Sequence, residues 1–173
     1  QQTVRIGHDF RVGSEGLRIG GQFTWSTTNP SVGLQGFEIT SDTIVAGLFA
    51  SYPLLRSRRH SLFAEGGFEY IDQEVGLNTI ALNEDRVRIA YARVGGELLD
   101  RASLLRADGY STFEPRFRLR YGAEVRHGLD VFDASPDCRP NLLACLLGGQ
   151  AAPSRIEADP TPLLLRLDTD IEY

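Results

Sequence analysis

Lysine and methionine are absent from the 173-residue sequence, and all 18 basic side chains are arginine. Without an initiator methionine, the chain reads as an excised or processed piece. No stretch approaches the roughly 18 consecutive apolar residues of a helical membrane span, so a transmembrane helix is excluded. No basic segment followed by an apolar one opens the chain, so any signal peptide is already gone. Runs of like charge never exceed three residues and the formal net charge is −5, which argues against nucleic acid as a partner. Neither a G-x-G-x-x-G fingerprint nor a phosphate loop occurs. The length is that of one domain. These absences leave open a membrane β-barrel, whose strands alternate and whose mean hydropathy stays near neutral.

The hydrophobic period is two, not 3.6. At the end of the chain Leu163, Leu165, Leu167, Thr169, Ile171 and Tyr173 oppose Arg166, Asp168, Asp170 and Glu172. In segment 116–126 Phe117, Leu119, Tyr121, Ala123 and Val125 oppose Arg116, Arg118, Arg120, Glu124 and Arg126. Segment 86–95 sets Val87, Ile89 and Tyr91 against Arg86 and Arg88. Segment 62–70 sets Leu62, Ala64, Phe68 and Tyr70 against Glu65 and Glu69. Segment 17–26 sets Leu17, Ile19, Phe23 and Trp25 against Arg18, Gln22, Thr24 and Ser26. Segment 4–12 sets Val4, Ile6, Phe10 and Val12 against Arg5, Asp9 and Arg11. Segment 43–52 is mixed: Ile44, Ala46, Leu48, Ala50 and Tyr52 share a face, but Val45 and Phe49 lie opposite. Seven strands of about nine to eleven residues follow. Soluble strands average about five or six, whereas nine to eleven suffice to cross a bilayer at a tilt.

The connections are expected to be a tight turn at Gly13-Ser14-Glu15-Gly16, a longer loop over 27–41, a compact turn over 53–59, a loop over 72–85, a medium connection over 98–112 and the longest loop over 130–162. Apart from the fifth, they alternate short and long, as periplasmic turns and external loops do in outer-membrane barrels.

Cys138 and Cys145 sit in the longest loop. In an oxidising compartment such a pair reads as a disulfide restraining that loop. No histidine lies near them to make a metal site. His8 and Asp9 are the single His–carboxylate neighbours, but adjacent strand residues point to opposite faces, so they make a poor dyad. No nucleophile–base cluster can be assembled, so the chain reads as a non-enzyme without cofactor. The basic run Arg56-Ser57-Arg58-Arg59-His60 reads as a solvated turn at a membrane edge, with a grip on anionic headgroups or a phosphate as the alternative.

The charged face is the most informative feature. In a closed barrel Arg18, Glu65, Glu69, Arg86, Arg88, Arg116, Arg118, Arg120, Glu124, Arg166, Asp168 and Asp170 would line a hydrated lumen and pair across strands. On the lipid side each arginine would cost about 2–4 kcal/mol at the midplane.

Tyr52-Pro53-Leu54-Leu55-Arg56-Ser57-Arg58, followed by Leu62-Phe63-Ala64-Glu65-Gly66-Gly67, resembles the "YPL-x-RSR" hairpin of two-partner secretion transporters, the TpsB or hemolysin activation/secretion type. His127-Gly128-Leu129-Asp130 through Ala134, and Leu165-Arg166-Leu167-Asp168, resemble the same family's strands around its long external loop. The resemblance runs from about Val4 to Tyr173. It implies the middle strands of an outer-membrane β-barrel over 1–173, without the family's periplasmic POTRA domains and closing strands. The implied fold is an all-β, antiparallel up-and-down sheet, open in this piece. The implied activity is export of a large secreted TpsA-type adhesin or hemolysin, with outer-membrane lipids as surroundings and no small-molecule substrate. The rival readings are a barrel-assembly factor, a passive porin, or a soluble β-sandwich binding module.

Overall fold

The computed structural model describes residues 1–29, 39–78, 80–100, 117–139, 143, 145 and 152–173. The chain is all-β. Its strands are β1 (Gln2–Val12), β2 (Leu17–Thr28), β3 (Ile39–Arg56), β4 (His60–Leu77), β5 (Ile80–Leu99), β6 (Arg118–Gly128) and β7 (Leu163–Glu172). They form one antiparallel sheet in sequential order, β1 to β7, with β1 and β7 as its two edges. No helix among the described residues is long and apolar enough to cross a membrane.

Alternation places opposed residues of neighbouring strands on a common face. The row Ile6, Phe23, Ala46, Tyr70 runs across four strands of the apolar face. Further along, Ala92, Val125 and Leu165 stand on that same face. The other face carries rows such as Glu65–Arg93–Glu124–Arg166. Among the described residues neither face is covered by a second layer of strands. Among the described residues the fully buried side chains are Cys138 and Arg88 alone, while Leu48, Leu163, Leu165 and Leu167 are 68–72% exposed.

Glycines on this sheet make room for rings directly opposite. A Cβ on Gly20 would lie 2.6 Å from the Phe49 ring, one on Gly67 2.6 Å from Tyr91, and one on Gly95 2.8 Å from Phe63. These three pairs all stand on the charged face. A ring laid over an opposed glycine is a recognised way to support a strand that lacks side-chain packing.

The strands fall into two length classes. β1, β2, β6 and β7 have 10 to 12 residues, as expected, but β3 and β4 have 18 and β5 has 20. At about 3.3 Å per residue β5 is about 65 Å long, well beyond what a bilayer crossing needs. The loop expected over 72–85 is therefore not one: β4 and β5 stay paired as far as Leu77 and Ile80, and two residues join them. Asn78 sits there at φ 55°, the left-handed conformation that a tight hairpin requires and asparagine tolerates. The polar run Asp72-Gln73-Glu74 suggested a break. A strand held by its neighbour's backbone ladder needs no apolar residues to continue.

The third connection is also shorter than expected. Tyr52, Pro53, Leu54 and Arg56, expected in the turn, belong to the end of β3, and only Ser57, Arg58 and Arg59 lie between strands. The ladder slips between Pro53 and Leu55, where proline cannot donate to it.

Candidate functional site

The candidate site is the charged face of β4 to β7. Arg118 Nε lies 2.7 Å from Glu97 and its Nη1 3.3 Å from Glu172. Arg120 reaches Asp170 at 3.6 Å and Glu172 at 3.4 Å. Arg126 pairs with Glu124 at 3.0 Å and with Glu69 on β4, spanning the intervening strand. At the far edge Arg18 lies 3.7 Å from Asp9. Aromatic rings sit among these charges: Arg93 lies 5.5 Å from the Phe63 centroid and Arg126 5.6 Å from that of Tyr91. Half-exposed pairs of this kind contribute about 1 kcal/mol or less each. Their effect is to neutralise one another while leaving a hydrated surface of mixed sign.

Of the residues expected to share the charged face, Arg18, Glu65, Glu69, Arg118, Arg120, Glu124, Arg166, Asp168 and Asp170 do share one face of the sheet. Arg116 lies outside the described residues. Arg86 and Arg88 are a correction: they oppose Asp72 and Tyr70, and so stand on the apolar face, while Val87, Ile89 and Tyr91 stand on the charged one. The apolar residues of β5 are the small Ala90, Ala92 and Val94, which the larger Val87, Ile89 and Tyr91 outweighed in the pattern. The charges at Arg93 and Glu97 carried the right parity.

Arg88 is tolerated there because it is enclosed. It is 1% exposed. Its Nη1 donates to Asp72 at 2.7 Å and to the Ile71 carbonyl at 2.9 Å. Its Nε and Nη2 donate to the Phe132 carbonyl at 3.2 and 3.0 Å. The guanidinium stacks 3.5 Å over the Tyr70 ring, a strong setting for a cation–π contact. Phe132 in turn meets Phe68 edge-on at 6.0 Å. Phe132 and Asp133 both adopt left-handed φ, 52° and 55°, which costs about 1–3 kcal/mol each and persists only when held by surrounding contacts. The carbonyl bonds from Arg88 are such contacts. Nothing in the pattern of single strands pointed to this cluster, because its parts come from three segments.

The long connection between β6 and β7 straddles the overhanging end of β5. The Leu129 and Ser135 amides donate to the carbonyls of Arg88 and Arg86, 2.8 and 2.9 Å away, so the chain first follows the β5 edge. It then returns over the charged face, where Ser154 N donates to Asp85 at 2.9 Å. A mostly apolar cavity of about 320 Å³ lies beneath it, lined by Ile71, Val87, Ile89, Pro136, Pro153 and Leu164 among others. Cys138 and Cys145 are disulfide-bonded, with Cα atoms 5.6 Å apart. Arg139 beside this bridge pairs with Asp137 at 2.6 Å and Asp159 at 3.2 Å. Hydrogen bonds from Arg139 hold the Asp137 carboxyl down to about 2. That of Asp159 is lowered chiefly by the Thr161 amide, 2.9 Å away.

His8 and Asp9 project to opposite faces, and no group of three or more metal-ligating side chains occurs among the described residues. No known protein family, characterised protein or solved structure matches the chain.

Proposed function

We propose that the chain is the middle part of an outer-membrane β-barrel that exports a large polypeptide, as in two-partner secretion. The observation that carries this reading is a single-layer sheet with one exposed apolar face and one face of mutually paired charges. A soluble domain covers its apolar face with a second layer. In a bilayer, lipid takes that place, and backbone groups are satisfied by strand pairing that must finally close. The two bare edges, β1 and β7, are where flanking strands of the same barrel attach. The charged face then lines the passage. Side chains of alternating sign hydrate it without a net field, which suits an extended chain of any sequence better than a strongly charged lining would. The run Tyr52–Arg58, the end of β3 and its turn, and the segment around Leu129 support the transporter class through their resemblance to it.

Export is tested in cells lacking the full-length protein and complemented with it. A large polypeptide in the medium that depends on the complementing copy is the expected result. An unchanged set of secreted proteins overturns export. Release of the protein from membranes by alkaline carbonate, without detergent, overturns the barrel itself.

A further inference from the structure

The end of β3 and the three-residue turn after it carry a cluster of three arginines. Arg56, Arg58 and Arg59 are exposed and have no carboxylate within ion-pair distance among the described residues. The arginines of the charged-face ladder on β6, by contrast, lie against Glu69, Glu97, Glu124, Asp170 or Glu172. The nearest candidate partner, Glu15 on the adjacent turn, instead accepts a hydrogen bond from the Tyr52 hydroxyl at 3.2 Å. That turn lies close by: a Cβ on Gly16 would be 3.1 Å from Pro53 and 3.5 Å from the Arg56 guanidinium.

The turn is rigidly built. Ser57 N donates to the His60 carbonyl at 3.0 Å, Ser57 Oγ to the same carbonyl at 2.8 Å, and His60 N to Ser57 Oγ at 2.9 Å. The Arg59 carbonyl accepts from Leu99 N at 2.8 Å, which ties the tip to the end of β5. Next to it the apolar face ends in a row of amphipathic side chains. Tyr52 is bonded to Glu15, and the Tyr121 hydroxyl lies 2.5 Å from His60 Nε2. Between Tyr52 and the tip Leu54 and Leu55, brought together by the slip after Pro53, are 54% and 42% exposed. Exposed leucines among tyrosines whose hydroxyls bond polar groups, with unpaired arginines at the tip, are the side chains that gather where a bilayer meets its headgroups.

We propose that Arg58 and Arg59 form a binding site for the anionic headgroups of phospholipids in the leaflet at the short-turn end of the sheet, while Arg56, opposite Ser61, stands on the charged face. The inference rests on the barrel reading given above. Guanidinium forks bind phosphate oxygens in pairs, and the absence of internal carboxylate partners leaves them free to do so. Leu54 and Leu55 pack beside the first methylenes of the same lipid. Juxtamembrane arginine contributes about fivefold in affinity for an anionic surface.

The test uses the full-length protein reconstituted in nanodiscs of phosphatidylcholine with a minor fraction of photoactivatable phosphatidylglycerol. Crosslinked lipid is counted by mass spectrometry and located by peptide. The wild type is expected to crosslink phosphatidylglycerol at peptides containing 52–60, in at least tenfold excess over photoactivatable phosphatidylcholine. The Arg58→Ser/Arg59→Ser variant loses that excess, and the corresponding double lysine variant keeps part of it. Equal labelling by the two lipids, or an excess unchanged in the serine variant, overturns the site. Abolition of the labelling by millimolar inorganic phosphate shows that a free anion is the preferred ligand and overturns the lipid assignment. Heat-modifiable gel mobility reports whether each variant is folded. Failure of the wild type to enter nanodiscs refutes the barrel reading rather than this site.

Discussion

Arg88 and Arg120 stand on adjacent strands, carry the same charge, and live in opposite settings. Arg120 lies half exposed on the charged face, near Asp170 and Glu172, and shares Glu172 with Arg118. Arg88 lies on the apolar face, sealed between Tyr70, Asp72 and the Phe132 carbonyl. The comparison teaches that register, not residue type, decides which way a side chain points in this sheet. An arginine that register sends to the apolar side is kept by building an enclosure for it, and that enclosure also fixes the start of the long loop. The ladder is many weak, interchangeable contacts; the Arg88 cluster is one arrangement in which each part depends on the others.

The largest expected effect follows from that dependence. Asp72→Ala leaves the Arg88 charge enclosed without its carboxylate, a change that costs about 3–5 kcal/mol in buried pairs. Arg88→Met removes the charge together with the need for a partner and should destabilise less. Denaturant unfolding of the detergent-solubilised full-length protein orders the two. By contrast Glu97→Gln on the ladder is expected to cost under about 1 kcal/mol. If Asp72→Ala and Glu97→Gln prove equal, the contrast between the settings fails.

A second effect sharpens the charged face itself. Gly67→Val places a branched side chain where a single Cβ already meets the Tyr91 ring and the Leu48 carbonyl at 2.6 Å. Overpacking of this kind costs about 1–3 kcal/mol. Gly7→Ala, whose Cβ meets nothing closer than 3.7 Å, should be nearly silent in the same unfolding assay.

The smallest effect concerns the loop that Arg88 helps to start. Asp137 and Asp159 have lowered carboxyl pKa values, that of Asp137 down to about 2. A depressed native value contributes stability above the ordinary carboxylate range and loses it as pH falls through the native value. Protease protection of the loop should therefore be flat from neutrality to about pH 4 and decline between about pH 4 and 2. Arg139→Gln should move that decline upward.

Most of the facing was legible because alternation is strict where large apolar residues and charges coincide, as at Leu163–Glu172 and Leu17–Trp25. It misled at Arg86 and Arg88, where alanines mark the apolar face and the bulkier Val87, Ile89 and Tyr91 mark the other. The lengths of β3 to β5 were not legible for a different reason. Beyond the apolar belt a strand is held by its neighbour's backbone, and polar residues such as Asp72-Gln73-Glu74 carry no signal that separates a strand from a loop. The Cys138–Cys145 bridge could be read from spacing within one loop. The Arg88 cluster could not, since Tyr70, Arg88 and Phe132 meet only through tertiary structure.

Leu167 and Asp168 are consecutive residues of the exposed edge strand β7 and point to opposite faces. Each is replaced singly by cysteine in the full-length protein, on a Cys138→Ser/Cys145→Ser background, in native membranes. The account predicts that position 168 reacts with a water-soluble maleimide while position 167 reacts only with a lipid-soluble one. Equal reaction of the two positions with the water-soluble reagent would contradict it, because the apolar face would then meet water and not lipid.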